Sequence, residues 1–457
     1  MQDKDIIIAQ LLQEIARLRD EVRLLKEEVA RLKKNSNNSS RPPSSDIVKP
    51  EKTARKVSDQ KRKRGGQRGH RKFTRRPFAP AEVDEVVRYE LTDTQARGFE
   101  PLDQWHVLQQ VGLPEKMYRV TEHRARKYRD PVTGRIHIAP MPDDIRKGGL
   151  LGADITAAAA FMKGSCHMSF TTIGQFFKEV MKLDISRGML CKATQKVSDA
   201  LSRPYDELVN RLPNEPLVNV DETGHHDGGK LHWTWCFDTS RYSLFRIDKS
   251  RGSKVLEEML GEEFSGIIGS DYWGAYRKYG RLFNVRLQYC MAHLIREIRF
   301  LAEHSVRKLS DWGSELLQWL KKLFDTLHRR DELTADGFAR SMGRIKAGFL
   351  RSVRRGPEHR LARKLARRFE GDRAENYFRF LTEPVEPTNN AAERQIRPVV
   401  IDRRITQGTR GSAGMRWCER IWTTAATCKK HNRNVFDFIH QSLTAHWSNK
   451  IYPSLLP

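Results

Sequence analysis

The sequence predicts a multidomain α/β protein built around a mixed sheet, and three stretches carry that prediction. Leu217-Val218-Asn219-Val220-Asp221-Glu222-Thr223 is a short apolar run with β-branched residues. It reads as a buried strand that presents Asp221 at its end. After a glycine-containing break at His225 to Lys230, two further runs, Leu231 to Phe237 and Tyr242 to Ile247, are rich in aromatic and β-branched residues, so the three together form a meander. Ser253 to Leu260 then has helical spacing of Val255, Leu256, Met259 and Leu260, and Gly266-Ile267-Ile268-Gly269-Ser270-Asp271 is a second buried strand ending in an aspartate. Strand, strand, strand, helix, strand is the order of a ribonuclease-H-like core. In that arrangement the first and fourth strands lie side by side and bring Asp221 and Asp271 together.

Two carboxylates held close repel each other, and a divalent cation between them relieves the repulsion. Magnesium is a hard ion that accepts a couple of carboxylates and keeps its other positions for water and phosphate oxygens. Glu393, in Thr388-Asn389-Asn390-Ala391-Ala392-Glu393-Arg394, is the candidate third acid. Thr388 or Asn389 caps a helix there and sets Glu393 within its first two turns. The stretches VNVDET, GSDYWGAY, CMAH (Cys290 to His293) and TNNAAERQIRP resemble the insertion-sequence-66 family of bacterial DDE transposases. A single aspartate at a strand end is usually a turn or cap residue; three acids in this order, with these flanking motifs, reverse that reading.

At 457 residues the chain has room for about three domains. A net charge of +26 suits a polyanionic partner, and double-stranded DNA is the natural one. The cysteines Cys166, Cys191, Cys236, Cys290, Cys418 and Cys428 are scattered, with no disulfide framework, which fits a reducing cytoplasm and association with the nucleoid. No apolar run approaches the roughly 20 residues a membrane span needs, and the acidic, heptad-patterned N-terminus is not signal-like.

In chain order, residues 1–34 carry Ile8, Leu11, Ile15, Leu18, Val22, Leu25, Val29 and Leu32 at alternating steps of three and four. With β-branched residues at a and Leu at d, this seam favours a parallel two-stranded coiled coil. Glu14, Glu21 and Glu28 at g face Arg19, Lys26 and Lys33 at e′, so a homodimer is expected. Residues 35–80 read as a flexible basic linker containing Lys61, Arg62, Lys63, Arg64 and Arg68, suited to the DNA backbone. Residues 81–145 carry strand-like pieces at Val83 to Leu91, Tyr118 to Arg126 and Ile136 to Ala139, with a turn at Asp130 to Gly134. They form a small β-rich module. Related transposases often have paired cysteines here, resembling a zinc module; this chain has none before Cys166.

Residues 146–212 are helical. Thr171 to Val180 and Ser186 to Val197, joined by a turn at Lys182 to Asp184, fit either a helix-turn-helix or a hairpin packed on the core. Residues 213–300 are the first part of the core, including a fifth strand at Val285 to Cys290 and a helix at Met291 to Leu301. Tyr272 and Trp273 serve either the core or base stacking. Cys290 and His293 are too few for a structural zinc site. Residues 301–384 form a helical insertion whose basic face, Arg351 to Arg368, is suited to DNA. Residues 385–410 hold the last core helix, where Arg397 lies one turn beyond Glu393 and Arg394, Arg403, Arg404 and Arg410 suit phosphate contacts. Gly408, Gly411 and Gly414 form a loop lacking the Lys-Ser/Thr of a P-loop. Residues 411–457 are a C-terminal helical region.

The resemblance implies a DNA transposase acting through two magnesium or manganese ions held by Asp221, Asp271 and Glu393, with His293 and Arg397 as supporting groups. Water cuts a strand at the element's end, and the exposed 3′ hydroxyl attacks target DNA. It also implies companion proteins encoded by the same element. The rival readings are an inactive DNA-binding regulator and a structure-specific nuclease of the same fold.

Overall fold

The computed structural model describes residues 13–22 and 76–457, apart from 93, 94, 96, 98 and 101. The chain divides into a larger unit, Met1–Glu51 with Ala125–Pro457, and a smaller one, Lys52–Arg124. Residues 13–22 are helical, and Ile15, Leu18 and Val22 stand 45 to 49% exposed along one stripe. The rest of the expected coiled coil, and the linker with Lys61, Arg62, Lys63, Arg64 and Arg68, lie outside the described residues. No helix among the described residues is long and apolar enough to cross a membrane.

The β-rich module expected over 81–145 is much reduced. Among the described residues of the smaller unit, the only regular element is a 3-10 turn, Pro80–Glu82, and neither Val83 to Leu91 nor the part of Tyr118 to Arg126 within it carries a strand. Val86, Val87, Tyr89, Leu91 and Val120 are all exposed. A β-branched run becomes a strand only when a neighbour pairs its backbone and buries one face, and neither condition holds here. What remains is the antiparallel pair β1 (Lys127–Arg129) and β2 (Ile136–Ile138) in the larger unit. Its turn is organised by Asp130, which accepts the Val132 N–H at 2.8 Å.

A helical layer follows: α1 (Asp143–Gly148), α2 (Ala153–Gly164), α3 (Phe170–Glu179), α4 (Arg187–Ala200) and α5 (Ser202–Arg211). Ser169 and Ser186 accept the Thr172 and Met189 N–H groups, which fixes where α3 and α4 begin. Ala159, Ile173, Phe177, Ile185, Leu190 and Ala193 make a small core of their own, while Val197 and Ala200 join α4 to the main core. The segment is a helical unit with a small core of its own that also packs on the main core. Arg187, Gly188, Cys191, Lys192 and Gln195 are left exposed on α4.

The central sheet has β3 (Leu217–Asp227), β4 (Lys230–Asp238), β5 (Ser243–Asp248), β6 (Ile267–Ser270) and β7 (Arg286–Tyr289) in the order β5-β4-β3-β6-β7. The first three pair antiparallel; β3, β6 and β7 pair parallel. α6 (Ser253–Leu260) and α7 (Gly274–Leu282) are the connections. The expected first and fourth strands are therefore neighbours. One expectation is corrected: Asp221 is not at the end of β3, which pairs with β4 out to Asp227↔Lys230. The supposed break is only Gly228-Gly229, both at positive φ (55° and 81°), a two-residue turn that other residues resist.

Both edges of the sheet are covered. On β5, the N–H groups of Ser243, Phe245 and Ile247 donate to Thr427, Thr423 and Glu419 of α14 (Ser412–Lys430). Four residues of helix advance about 6 Å and two of strand about 6.8 Å, so a side chain every fourth residue can match every second amide. On β7, Arg379 donates to the Leu287 carbonyl and Gln288 accepts the Phe380 N–H.

α8 (Met291–Ala302), α9 (Arg307–His328), α10 (Ala335–Arg354), α11 (Arg360–Ala366) and α12 (Glu375–Phe378) make up the region after β7. α9 buries Leu309, Trp312, Leu316, Leu320, Leu323 and Phe324. Of the basic residues expected on one outer face, Arg351, Arg354, Arg355, Arg360, Arg363, Lys364 and Arg367 are exposed, whereas Arg368 is buried against Glu297 at 2.6 Å. α13 (Asn390–Thr406) returns to the sheet, and α15 (Val435–Trp447) closes the chain against α2 and α4.

Candidate active site: an acid cluster at the centre of the sheet

The last rung of the β3–β6 ladder is Asn219↔Gly269. Asp221 and Asp271 each follow that rung by two residues, Asp221 within β3 and Asp271 just past the end of β6 at Ser270. Asp221 accepts the Glu222 N–H at 2.9 Å, and Asp271 accepts that of Trp273 at 2.9 Å.

Glu393 lies in the first turn of α13. Asn389 is the residue before the helix, but its side chain does not cap it; it donates to the Val220 carbonyl of β3 at 2.8 Å. Its backbone N–H donates to the Cys290 sulfur at 3.1 Å, and Pro387 accepts the Met291 N–H. The far end of α13 is tied to the same strand. Arg403 donates to the Thr223 hydroxyl and the Gly224 carbonyl, and in the loop that follows Thr409 bonds His225 and Asp227. Gly408 belongs to this clamp: its φ is +101°, and a Cβ there would lie 2.0 Å from the His226 oxygen. Glu393 thus rides on a helix fastened to β3 at both ends.

Among the described residues Glu393 shares a set of ligand atoms within 4.8 Å with Cys290 and His293 rather than with the two aspartates, and the acids are coupled electrostatically at Asp221. Burial, then Glu222, Glu393 and Asp271, push the Asp221 carboxyl well above the usual carboxylate range. Asp271 is raised to about 6, chiefly by burial and Glu222. Glu393 is raised by burial, against the opposing charge of Arg296. Glu222 itself is buried and satisfied: Arg251 donates to it at 2.8 Å, and the Tyr276 hydroxyl donates to its other oxygen.

His293, in the first turn of α8, has Nδ1 3.5 Å from Glu393 Oε1. Burial and then Arg296 depress it to about 4. Arg394, Arg397 and Arg404 are exposed on α13, while Arg403, expected among the DNA contacts, is turned inward to β3. The core role expected for this aromatic stretch is seen at Tyr272, not at Trp273. Tyr272 packs against Tyr289 and Tyr377, and Trp273 is 42% exposed with the Arg251 guanidinium 4.1 Å from its ring.

Sequence reasoning missed Glu222, Arg251 and Arg296. Glu222 was visible as a second acid beside Asp221, and Arg296 as a cation three residues after His293 on a predicted helix; nothing local marked Arg251.

Residues 148–416 match the family model described as "Transposase IS66 family". Residues 2–76 match a second model, described as a family of unknown function. A Sinorhizobium fredii protein named "Uncharacterized protein y4qI" is 24% identical over 289 residues, 57% of this chain and 53% of that protein. The chain thus spans about half the length of this curated relative.

Proposed function

The chain belongs to the IS66 transposase family, and we propose that it cuts and joins double-stranded DNA at the ends of a mobile element by divalent-metal-dependent phosphoryl transfer. The strand order β5-β4-β3-β6-β7 supports a core of the ribonuclease-H-like class. One observation carries the reaction: Asp221, on the central strand, is raised by burial and by Glu222, Glu393 and Asp271, so it feels acids that arrive from two other stretches of the chain.

Buried carboxylates at raised pKa fit a hard cation, since bound positive charge relieves both the repulsion felt at Asp221 and the cost of burial. Two magnesium or manganese ions, when bound, would activate the attacking oxygen and stabilise the leaving one. Asp221, Asp271 and Glu393 would hold them. The protein's own contribution is position: Asn389 and Arg403 hold α13 on β3, His293 stands beside Glu393, and the exposed Arg394, Arg397 and Arg404 suit phosphate oxygens.

The formal charge of +26 supports the DNA partner. The exposed stripe of Ile15, Leu18 and Val22 supports a homodimer through the N-terminal helix, and family membership supports companion proteins of the same element. The test is incubation with labelled element ends and a plasmid target in magnesium. We expect cut ends and joined products. Cutting without joining would indicate a nuclease, and retardation without cutting a regulator.

A further inference from the structure

α8 begins directly after Cys290, so Cys290 and His293 lie within one helical turn, and both meet the start of α13. There the Cys290 sulfur, a His293 ring nitrogen and a Glu393 carboxylate oxygen all lie within 4.8 Å of one another. His293 Nδ1 and Glu393 Oε1 are both buried and neither has a hydrogen-bond partner. Their separation of 3.5 Å exceeds a good hydrogen bond and matches two donors arranged around a common centre. Native proteins rarely leave such atoms unmatched without a bound species. Cys290 is itself buried, with its sulfur accepting the Asn389 N–H.

This set differs chemically from the aspartate pair. Thiolate and imidazole select borderline and soft ions, and three protein ligands with one position open is an arrangement zinc adopts readily. Spacing along the chain reveals only Cys-x-x-His; the third ligand arrives with α13.

We propose that Cys290, His293 and Glu393 bind one zinc-like divalent cation, and that its occupancy withholds Glu393 from the hard-ion cluster and so opposes strand cutting. The second half rests on the reading of Glu393 as a ligand of the hard ions. Binding forms a sulfur–metal bond as the thiol proton leaves to solvent.

Cobalt(II) serves as the probe, because a cobalt–thiolate bond gives a charge-transfer absorption band. Titrating the full-length, metal-free protein should produce that band, saturating at one equivalent and displaced by zinc. It should be lost in Cys290→Ser and in His293→Ala, and kept in Cys166→Ser/Cys191→Ser. No band in the unaltered protein, or a band that survives Cys290→Ser, overturns the site. In magnesium-driven cutting assays, one equivalent of zinc should slow the unaltered protein about tenfold, and slow Cys290→Ser far less, each measured against its own zinc-free rate; a tenfold change corresponds to about 1.4 kcal/mol. Equal slowing of both overturns the competition for Glu393. Absence of cutting without zinc would count against the transposase reading alone, since the cobalt band still reports the site.

Discussion

At the β5 edge, Glu419 accepts the Ile247 N–H at 2.8 Å and lies 2.9 Å from Arg416, while Asp238 lies 2.9 Å from Lys430 and accepts from Ser243. Two strands away, the strongest influences on Asp221 after burial are other carboxylates. The same sheet therefore holds buried acids of two kinds. Those at the edge are matched by a base and by an amide or a hydroxyl and complete the structure; those at the centre bear on Asp221 as like charges, a cost that folding alone does not explain. Carboxyl groups raised by burial and by like charge are the pattern found at functional sites.

The largest effect expected from this contrast is on chemistry. Asp221→Asn should lower magnesium-dependent strand cutting by about a thousandfold, roughly 4 kcal/mol of barrier, while gel retardation of element-end DNA is retained. Preserved cutting would place the chemistry elsewhere.

The next effect concerns pH and metal. Asp271 is raised to about 6, so the folded protein keeps a proton that the unfolded chain releases near pH 4. For this group, metal-free stability is full below about pH 4 and declines as pH rises through about 6. Magnesium at a hundredfold excess over its Kd should then add about 2.7 kcal/mol, with the larger rise in Tm at about pH 8 than at about pH 5. Asp221→Asn/Asp271→Asn should abolish the rise; equal rises at both pH values would contradict the assignment.

At the edge the sign reverses. Glu419→Gln should destabilise the protein by about 2 kcal/mol in denaturant unfolding, because Arg246 and Arg416 lose the buried negative charge they share and one of the two acceptor oxygens becomes a donor. Asp221→Asn in metal-free buffer should instead be neutral or stabilising. Should both variants destabilise alike, the distinction between the two kinds of acid fails. The smallest effect is at the clamp: Thr409→Val removes the hydroxyl that bonds Asp227 at 2.7 Å and should cost about 1 kcal/mol.

Much of the core was legible because its signals are local. Alternating and β-branched runs marked each strand, helical spacing marked α6, and the acid within TNNAAERQ marked the start of α13. What stayed hidden depends on distant partners. β3 runs past Asp221 because Thr409 and the loop around Gly408 hold its far end, a contact no local pattern announces. Val83 to Leu91 was over-read for the opposite reason: it has strand-like residues but no strand beside it. Arg368 looked like one more surface cation in a basic run, yet Glu297 draws it inside. Asn389 left its helix uncapped to reach Val220.

The covering of the two outer strands has a further consequence for assembly. A strand whose outward amides and carbonyls are already occupied offers no template for a foreign strand. With the outward amides of β5 matched by Glu419, Thr423 and Thr427, and the Leu287 carbonyl of β7 taken by Arg379, the β5 edge in particular offers little to a foreign strand. Association of copies through that strand is thereby disfavoured, which leaves side-chain surfaces as the route to higher-order complexes.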